Sequence, residues 1–429
     1  MFEATVRRDG YDNFGPENRF GVFPSVSAGW NIAKESFIID RFPRLSQLKL
    51  RASWGKTGNN TVPQFLYDPA YTAALNDTHN THQYYSFGTK GTILNGYRYA
   101  GLPNKGIKWE EVTQTDIGIE VGLFRNSLLL TAEYYDKKTT DMLYDMNIPS
   151  SAGASVGSYK ANIGDIHNRG LDLAIQYRNS YKDFRYDVAL TLSTNKNKVV
   201  KLNDDINPII ERGGSEAITG SMYRTENGKP MGQMYGYVVE GIFQTKEEIA
   251  ALNAASPTGL YQVSGTAPGD FKFKDLNHDG KITEEDRQYI GNPWPKLIYG
   301  LNINLSWRGF DLVMGWLGHQ GVDIYNVSKA VERNFYGDWN TTYKVFDAWT
   351  AEHPTEHPRV VTGDPNNNFK TVSSYFVENG SFLKLKSLHF GYNLPKSALA
   401  KIGLNGVKIY VNCNCLLYTS PSPRDRTRS

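Results

Sequence analysis

Little in this sequence suits a disulfide scaffold, a helical membrane protein or a nucleic-acid binder. Among its 429 residues are two cysteines, Cys413 and Cys415, too close together for a useful structural disulfide and too few to frame a small fold. No continuous apolar run of about 18 residues occurs, which excludes helical membrane spans. The formal net charge of +3 lacks the strongly basic balance of nucleic-acid binders. The first residues carry neither an apolar leader nor a cleavage site. Phe2, Ala4 and Val6 instead alternate with Glu3, Thr5 and Arg7, so the chain reads as opening inside a strand.

What is abundant is alternation. Leu171, Leu173, Ile175 and Tyr177 alternate with Asp172, Ala174, Gln176 and Arg178. Phe184, Tyr186, Val188, Leu190 and Leu192 alternate with Arg185, Asp187, Ala189, Thr191 and Ser193. A period of two puts one oily and one wet face on each strand. The pattern recurs around Val22 to Ile32, Leu48 to Trp54, Ile117 to Leu123, Leu128 to Tyr134 and Tyr299 to Trp307, for about 12 strands in all. The weakest is Phe382 to Tyr392, where the phase slips and a bulge is expected. Strands so long and so two-sided suit a membrane barrel, whose spans need about 9 to 11 residues. A mean hydropathy of −0.49 does not oppose this, because half of every barrel strand is polar.

The connections alternate too. Short turns fall at Phe124 to Asn126, Asn179 to Asp183 and Arg308 to Gly309, with somewhat longer ones near Arg41 to Pro43 and Pro395 to Leu404. Long segments lie at about 56–108, 137–166, 197–232, 244–295 and 319–380. Outer-membrane barrels combine short periplasmic turns with long outer loops. Phe124, Tyr177, Tyr181, Phe184, Trp307 and Phe310 sit beside the short turns, where an interfacial girdle belongs. The fold class expected is therefore all-β, a transmembrane antiparallel β-barrel with long extracellular loops; a soluble all-β protein is the alternative.

Several blocks then carry a resemblance: Arg19 to Phe37 (RFGVFPSVSAGWNIAKESF), Leu45 to Asn60, Trp109 to Leu143, Gly228 to Phe243 (GKPMGQMYGYVVEGIF), Gly269 to Asn304, and Gly380 to Pro395 (GSFLKLKSLHFGYNLP). Together they resemble the barrel of SusC/RagA-type TonB-linked outer-membrane transporters. The resemblance implies part of a 22-stranded barrel that imports oligosaccharides or peptides, without enzymatic activity. It implies a SusD-like surface lipoprotein as partner, and TonB acting through a plug and N-terminal segment that precede the barrel. Residues 1–414 would be the partial barrel. A non-transporting outer-membrane barrel or adhesin, and a soluble carbohydrate-binding β-protein, are the competing functions. Residues 415–429, beginning CLLYTSPSPRD, are similar to one reading frame of a transposon end and adapter used in DNA sequencing, and are expected to be a non-native tail without barrel pattern.

One constellation points to a metal. Asp275, Asn277, Asp279, Gly280, Lys281 and Asp286 match the D-x-N-x-D-G calcium loop: side-chain oxygens at positions one, three and five, a backbone carbonyl from Lys281 at seven, and glycine at the sharp turn. Position twelve is Asp286, where an EF-hand carries Glu; the shorter arm leaves bidentate ligation open. The site expected is Ca²⁺, bound weakly in an external loop to stiffen it, while a polar Asx turn without an ion accounts for the same string.

Two catalytic patterns lack their context. Gly153 to Gly157 fits G-x-S-x-G but lies in a Ser/Gly-rich loop rather than between a strand and a helix. His353 to His357 fits H-x-x-E-H, yet Pro354 and Pro358 disfavour the helix that zinc binding requires. Trp294, Tyr336, Trp339 and Trp349 are loop aromatics able to stack on sugars, with loop packing the commoner role. Asp116, Glu120, Asp172, Arg185 and Asp187 are expected on the barrel's inner, polar face. Thr245 and Glu248 stand at capping-box spacing before a helix over Lys246 to Ala254, and Ser328 to Asn334 is expected to be helical as well.

Overall fold

Alternating side chains on extended backbone build one antiparallel sheet. In the computed structural model the chain is described except at residues 40, 63–65, 69–70, 74–83, 88–91, 96, 100–102, 148–157, 204–206, 213–220, 336–339, 401–402 and 420–429. The sheet has 12 strands: β1 (Phe2–Gly10), β2 (Phe20–Asn31), β3 (Leu45–Asn59), β4 (Glu110–Leu123), β5 (Leu128–Thr140), β6 (Gly164–Tyr181), β7 (Phe184–Ser193), β8 (Lys196–Leu202), β9 (Leu297–Trp307), β10 (Phe310–Gln320), β11 (Phe382–Asn393) and β12 (Lys408–Thr419). Eleven follow one another in chain order and β8 pairs with β6. Sequential pairing of this kind is what short hairpin connections dictate. No helix among the described residues is long and apolar enough to cross a membrane, which says nothing of strands that cross as a barrel.

The chain divides into two compact units, one of Met1–Asn126, Thr131–Leu171 and Lys198–Ile206, the other of Ser127–Leu130, Asp172–Asn197 and Asn207–Ser429. In the second, the register aligns apolar residues into rows: Ile175 opposite Leu190, Leu190 opposite Leu301, Leu301 opposite Trp316, Trp316 opposite Leu385. In the first, Val26 faces Trp54, Trp30 faces Leu50, and Leu50 faces Ile119. Apart from Leu385, which is buried beside the strand irregularity at Lys386, these rows are not a core. Leu171 is 50% exposed, Ile117 58%, Trp307 50% and Val411 60%, so the oily face is the outer one. A soluble sandwich would bury it.

The expected bulge in β11 is Lys386, which is skipped where Leu385 and Ser387 pair with neighbours on both sides. The turn after β6 is tighter than the sequence suggested: Tyr181 pairs with Phe184, leaving only Lys182 and Asp183. At the C-terminal end β12 runs past Asn414 to Thr419, with Cys415 at φ 54, so strand pairing extends five residues into the segment expected to show none.

The long connections fold on their own hydrophobic clusters. Met222, Ala330, Phe369, Val372 and Phe376 form one, and Phe243, Ile249 and Tyr261 another. The first unit has its own in Phe14, Phe23, Val62, Ile107 and Trp109. Helix α1 (Lys246–Ala255) starts where expected: Thr245 accepts from the Glu248 amide at 3.2 Å. The return contact goes one residue further back, since Glu248 Oε2 accepts from the Gln244 amide rather than from Thr245. Helix α2 (Val327–Glu332), capped by Asn326, lies within one residue of its expected start.

Candidate functional site

The inner face of the sheet is a polar network. In the first unit Arg51 meets Glu133 at 2.6 Å and Glu120 at 3.6 Å, Lys49 meets Glu120 at 3.6 Å, and Lys56 meets Glu111 at 2.5 Å. Gln47 donates to Glu120, while Ser53 and Gln114 donate to Asp116. Glu3, Thr5, Ser25, Ser27, Ser53, Gly55, Gln114 and Asp116 line an open trough of about 500 Å³. Phe23, Trp54 and Lys56 line the same trough, so its walls are mixed in size and polarity. In the second unit Gln176 donates to both oxygens of Asp187, and Asp311 binds His389 at 2.8 Å and Lys408 at 3.0 Å. A second open trough gathers Arg178, Arg185, Asp187, Asn304, Ser306 and Asp311. The residues expected on this face thus divide between two places: Asp116 and Glu120 in the first unit's network, Arg185 and Asp187 in the second unit's trough. Asp172 sits at the start of the β6–β7 pairing opposite Ser193.

In the loops of the second unit, one group of buried polar side chains is closely hydrogen-bonded around Asp270. Asp270, fully buried, takes two bonds from Arg359 (2.7 and 2.9 Å), one from Asn368 and one from the Ala267 amide. Asp364 accepts from the amides of Asn368 and Phe369, and burial holds its carboxyl above the usual range. Asn366 joins Gln262, Thr266 and Asn368. Sequence reasoning missed this network, whose partners lie some hundred residues apart; the run Asp364-Pro365-Asn366-Asn367-Asn368 was its only local sign.

The predicted calcium loop folds as a curl, with His278 at φ 59 and Gly280 at φ 78. Gly280 donates to Asp275 Oδ2 (2.8 Å), Asp279 to Asn277 Oδ1 (3.1 Å) and Lys281 to Asp279 Oδ1 (3.1 Å). The remaining oxygen, Asp275 Oδ1, is buried without a hydrogen-bond partner. Asp286, fully buried, is held by the amides of Leu276 and Thr283 and closes a capping box on the turn Glu284–Asp286. Tyr261 packs beside the loop, accepting from Ile282 through its carbonyl, and burial pushes its phenol up to about 12. Lys281 lies 3.8 Å from Asp279. Among the described residues no group of three or more His, Cys, Asp or Glu side chains is drawn together as a metal cluster.

His353 to His357 forms bends rather than a helix. His357 is half-buried, its ring nitrogens against Arg333 Nη1 (2.9 and 3.0 Å) and the Tyr375 hydroxyl (2.8 Å). Burial and the Arg333 and Lys329 charges lower its pKa. Trp294 donates to the Met231 carbonyl and Trp349 to Gln244, which fixes the orientation of each indole in its loop. Tyr336, Trp339 and Gly153 to Gly157 lie outside the described residues. Sequence reasoning also missed the most exposed loop aromatics among the described residues, Phe346 at 83% and Tyr343 at 70%, because a composition scan cannot tell an outward ring from a packed one.

An antiparallel sheet oily outside, polar within, and topped by long folded connections defines an outer-membrane β-barrel protein. Residues 1–412 match the family profile "TonB dependent receptor-like, beta-barrel", and the chain belongs to that family. It is 33% identical over 426 residues to TonB-dependent receptor P3 of Formosa agariphila, an alignment covering 99% of this chain and 40% of that protein. It is 26% identical to TonB-dependent receptor SusC of Bacteroides thetaiotaomicron, covering 92% of this chain and 36% of that one. The chain therefore spans about two fifths of the length of these curated relatives. A solved structure of the RagAB peptide transporter superposes with a TM-score of 0.77 over 98% of this chain and 42% of that one, at 22% identity, a likeness of fold.

Proposed function

We propose that this chain is the barrel portion of a TonB-dependent importer that carries oligosaccharides or peptides across the outer membrane with a SusD-like lipoprotein, and we assign it no catalytic step. The observation that supports this most is the inversion of the sheet: exposed apolar rows outside, a charged and hydroxyl-rich face within. A soluble sugar-binding sandwich would bury the apolar rows, while an adhesin barrel shares the polar lining, so the inversion supports a barrel. Kinship to a protein named SusC and the RagAB fold favour import in particular. Uptake of labelled oligosaccharides and peptides by cells carrying the complete gene, against a deletion strain and a strain lacking TonB, tests it. Uptake lost in both strains is expected; equal uptake in all three would end the import reading.

Ca²⁺ in the loop Asp275 to Asp286 belongs to the same proposal, supported by the unpartnered Asp275 Oδ1 opposite an oxygen already committed to Gly280. Asp275, Asn277 and Asp279 would ligate by side chain, Lys281 by its carbonyl, and Asp286 from position twelve. Affinity near about 0.1 to 1 mM suits an extracellular module. Calorimetry on the intact transporter should show a calcium heat that Asp275→Asn abolishes; no heat at millimolar ion would remove the site.

A further inference from the structure

Two adjacent short turns of the second unit carry cations where the backbone asks for something else. β6 and β7 are joined by Lys182 and Asp183 alone, β9 and β10 by Arg308 and Gly309, and because Phe184 pairs with Trp307 the turns are neighbours. Lys182 has φ 53 and Arg308 φ 46, conformations that favour Gly, Asn or Asp at these hairpin positions. Each cation follows an exposed ring: Lys182 lies over Tyr181 at 5.5 Å, Arg308 over Trp307 at 5.6 Å, with Tyr181 71% and Trp307 50% exposed. Asp183 offsets one charge by accepting from Arg308 Nε at 3.0 Å. The Arg308 side chain stays 68% exposed, and no ion pair of Lys182 with an acid is seen among the described residues. The first unit repeats the pairing by itself. There Phe124, 51% exposed, and Arg125 both adopt left-handed backbone (φ 54 and 58), and the Phe124 amide donates to the carbonyl of Arg44, another exposed cation two residues after exposed Phe42.

We propose that these turn cations, with the rings beside them, form binding sites for anionic phospholipid headgroups in the leaflet at the short-turn rim. The rings continue the lipid-facing apolar rows, so the surface is continuous with the bilayer contact already described. At their end, where acyl chains give way to headgroups, aromatic side chains and cations are the groups that favour the boundary. Charge complementarity selects the occupant: a phosphodiester accepts several guanidinium and ammonium donors at once, whereas a zwitterionic headgroup brings its own cation. Retaining Lys and Arg at positive φ, against the turn's own preference, points to a use for the charge. This inference rests on the barrel in its membrane and not on import.

The test exchanges the cations for the residue the turns prefer. In the triple variant Arg125→Asn, Lys182→Asn and Arg308→Asn, asparagine suits left-handed backbone, so the turns stay intact or gain stability while the charge is gone. The intact transporter, purified in detergent, is titrated with phosphatidylglycerol or phosphatidylcholine and retained lipids are counted by native mass spectrometry. A preference for phosphatidylglycerol of about fivefold, the weight of about one cation at an anionic surface, is expected in the wild type and near parity in the variant, at an unchanged or higher melting temperature. Equal retention of both lipids by the wild type, full preference in the variant, or displacement by inorganic phosphate would each overturn the proposal. Transport failing while the lipid preference stands would strike the import reading alone.

Discussion

The sheet and the loops of the second unit obey opposite rules with the same alphabet. In the sheet, Leu171, Leu173 and Trp307 are exposed, while on the polar face Asp187 accepts from Gln176 and Asp311 pairs with His389 and Lys408. In the loops, Phe271, Phe369 and Phe376 are fully buried, and Asp270, one of several buried carboxylates, is bonded on both oxygens. One region is written for lipid and the other for water. The difference teaches that mean hydropathy averages two solvents and describes neither.

The sharpest break between the regions is the buried ion pair. Arg359→Met strands the Asp270 carboxylate, a loss of about 3 to 5 kcal/mol for removing one partner of a buried pair. Unfolding followed by protease cleavage in residues 256–273 should show the loops opening at lower denaturant, with the strands of the sheet still protected. In the sheet the informative pair is Leu173→Arg against Asp172→Arg, one residue apart on opposite faces. Arginine on the lipid face costs about 2 to 4 kcal/mol at the bilayer midplane and far less within. Equal costs in a urea titration of folding into vesicles would mean that Leu173 does not face lipid.

The sheet was legible because its rule is local: a two-residue period is visible in any six residues, and even the bulge at Lys386 announced itself as a slip of phase. Turn lengths were legible for the same reason, apart from the three residues by which β6 outran its expected end. The helix at Thr245 declared its cap. What could not be read was anything that needs distant partners. Nothing near Asp270 names Arg359, and nothing near His357 names Arg333 or Tyr375. The loop Asp275 to Asp286 lies between these cases: its curl follows from residues within twelve positions, while its packing depends on what Tyr261 and α1 press against it.

A titration also separates the two regions. His357 faces Arg333 and Lys329 from α2 and its end, Lys344 and Asp347 from the turn Tyr343–Asp347, Tyr375 from the turn Ser374–Phe376, and its neighbour Glu356. Arginine only donates, so the ring nitrogen it meets must be unprotonated. With the folded pKa below 6.5, the unfolded chain takes up the proton first as pH falls. The loop's stability is therefore full above about pH 6.5, declines below it and levels off under the folded pKa; by pH 5 the loss is at most about 2 kcal/mol. His357→Gln should flatten that slope in hydrogen exchange of residues 349–357. A slope unchanged in the variant would place the titrating group elsewhere.

The smallest effect asks whether the loops and the sheet are one cooperative structure. Thr245→Ala removes the side-chain acceptor for the Glu248 amide and should cost about 1 kcal/mol. The loss falls on α1, whose Ile249 packs with Phe243 and Tyr261, on the cluster that also supports the calcium loop. If the loops fold on their own cores, α1 frays earlier in hydrogen exchange and the folding of strands into lipid is untouched. If insertion of the sheet weakens by the same amount, the outer clusters are not satellites of the barrel but part of what closes it. The contrast between a lipid-written and a water-written region would then be one of composition only, with a single folding transition across both.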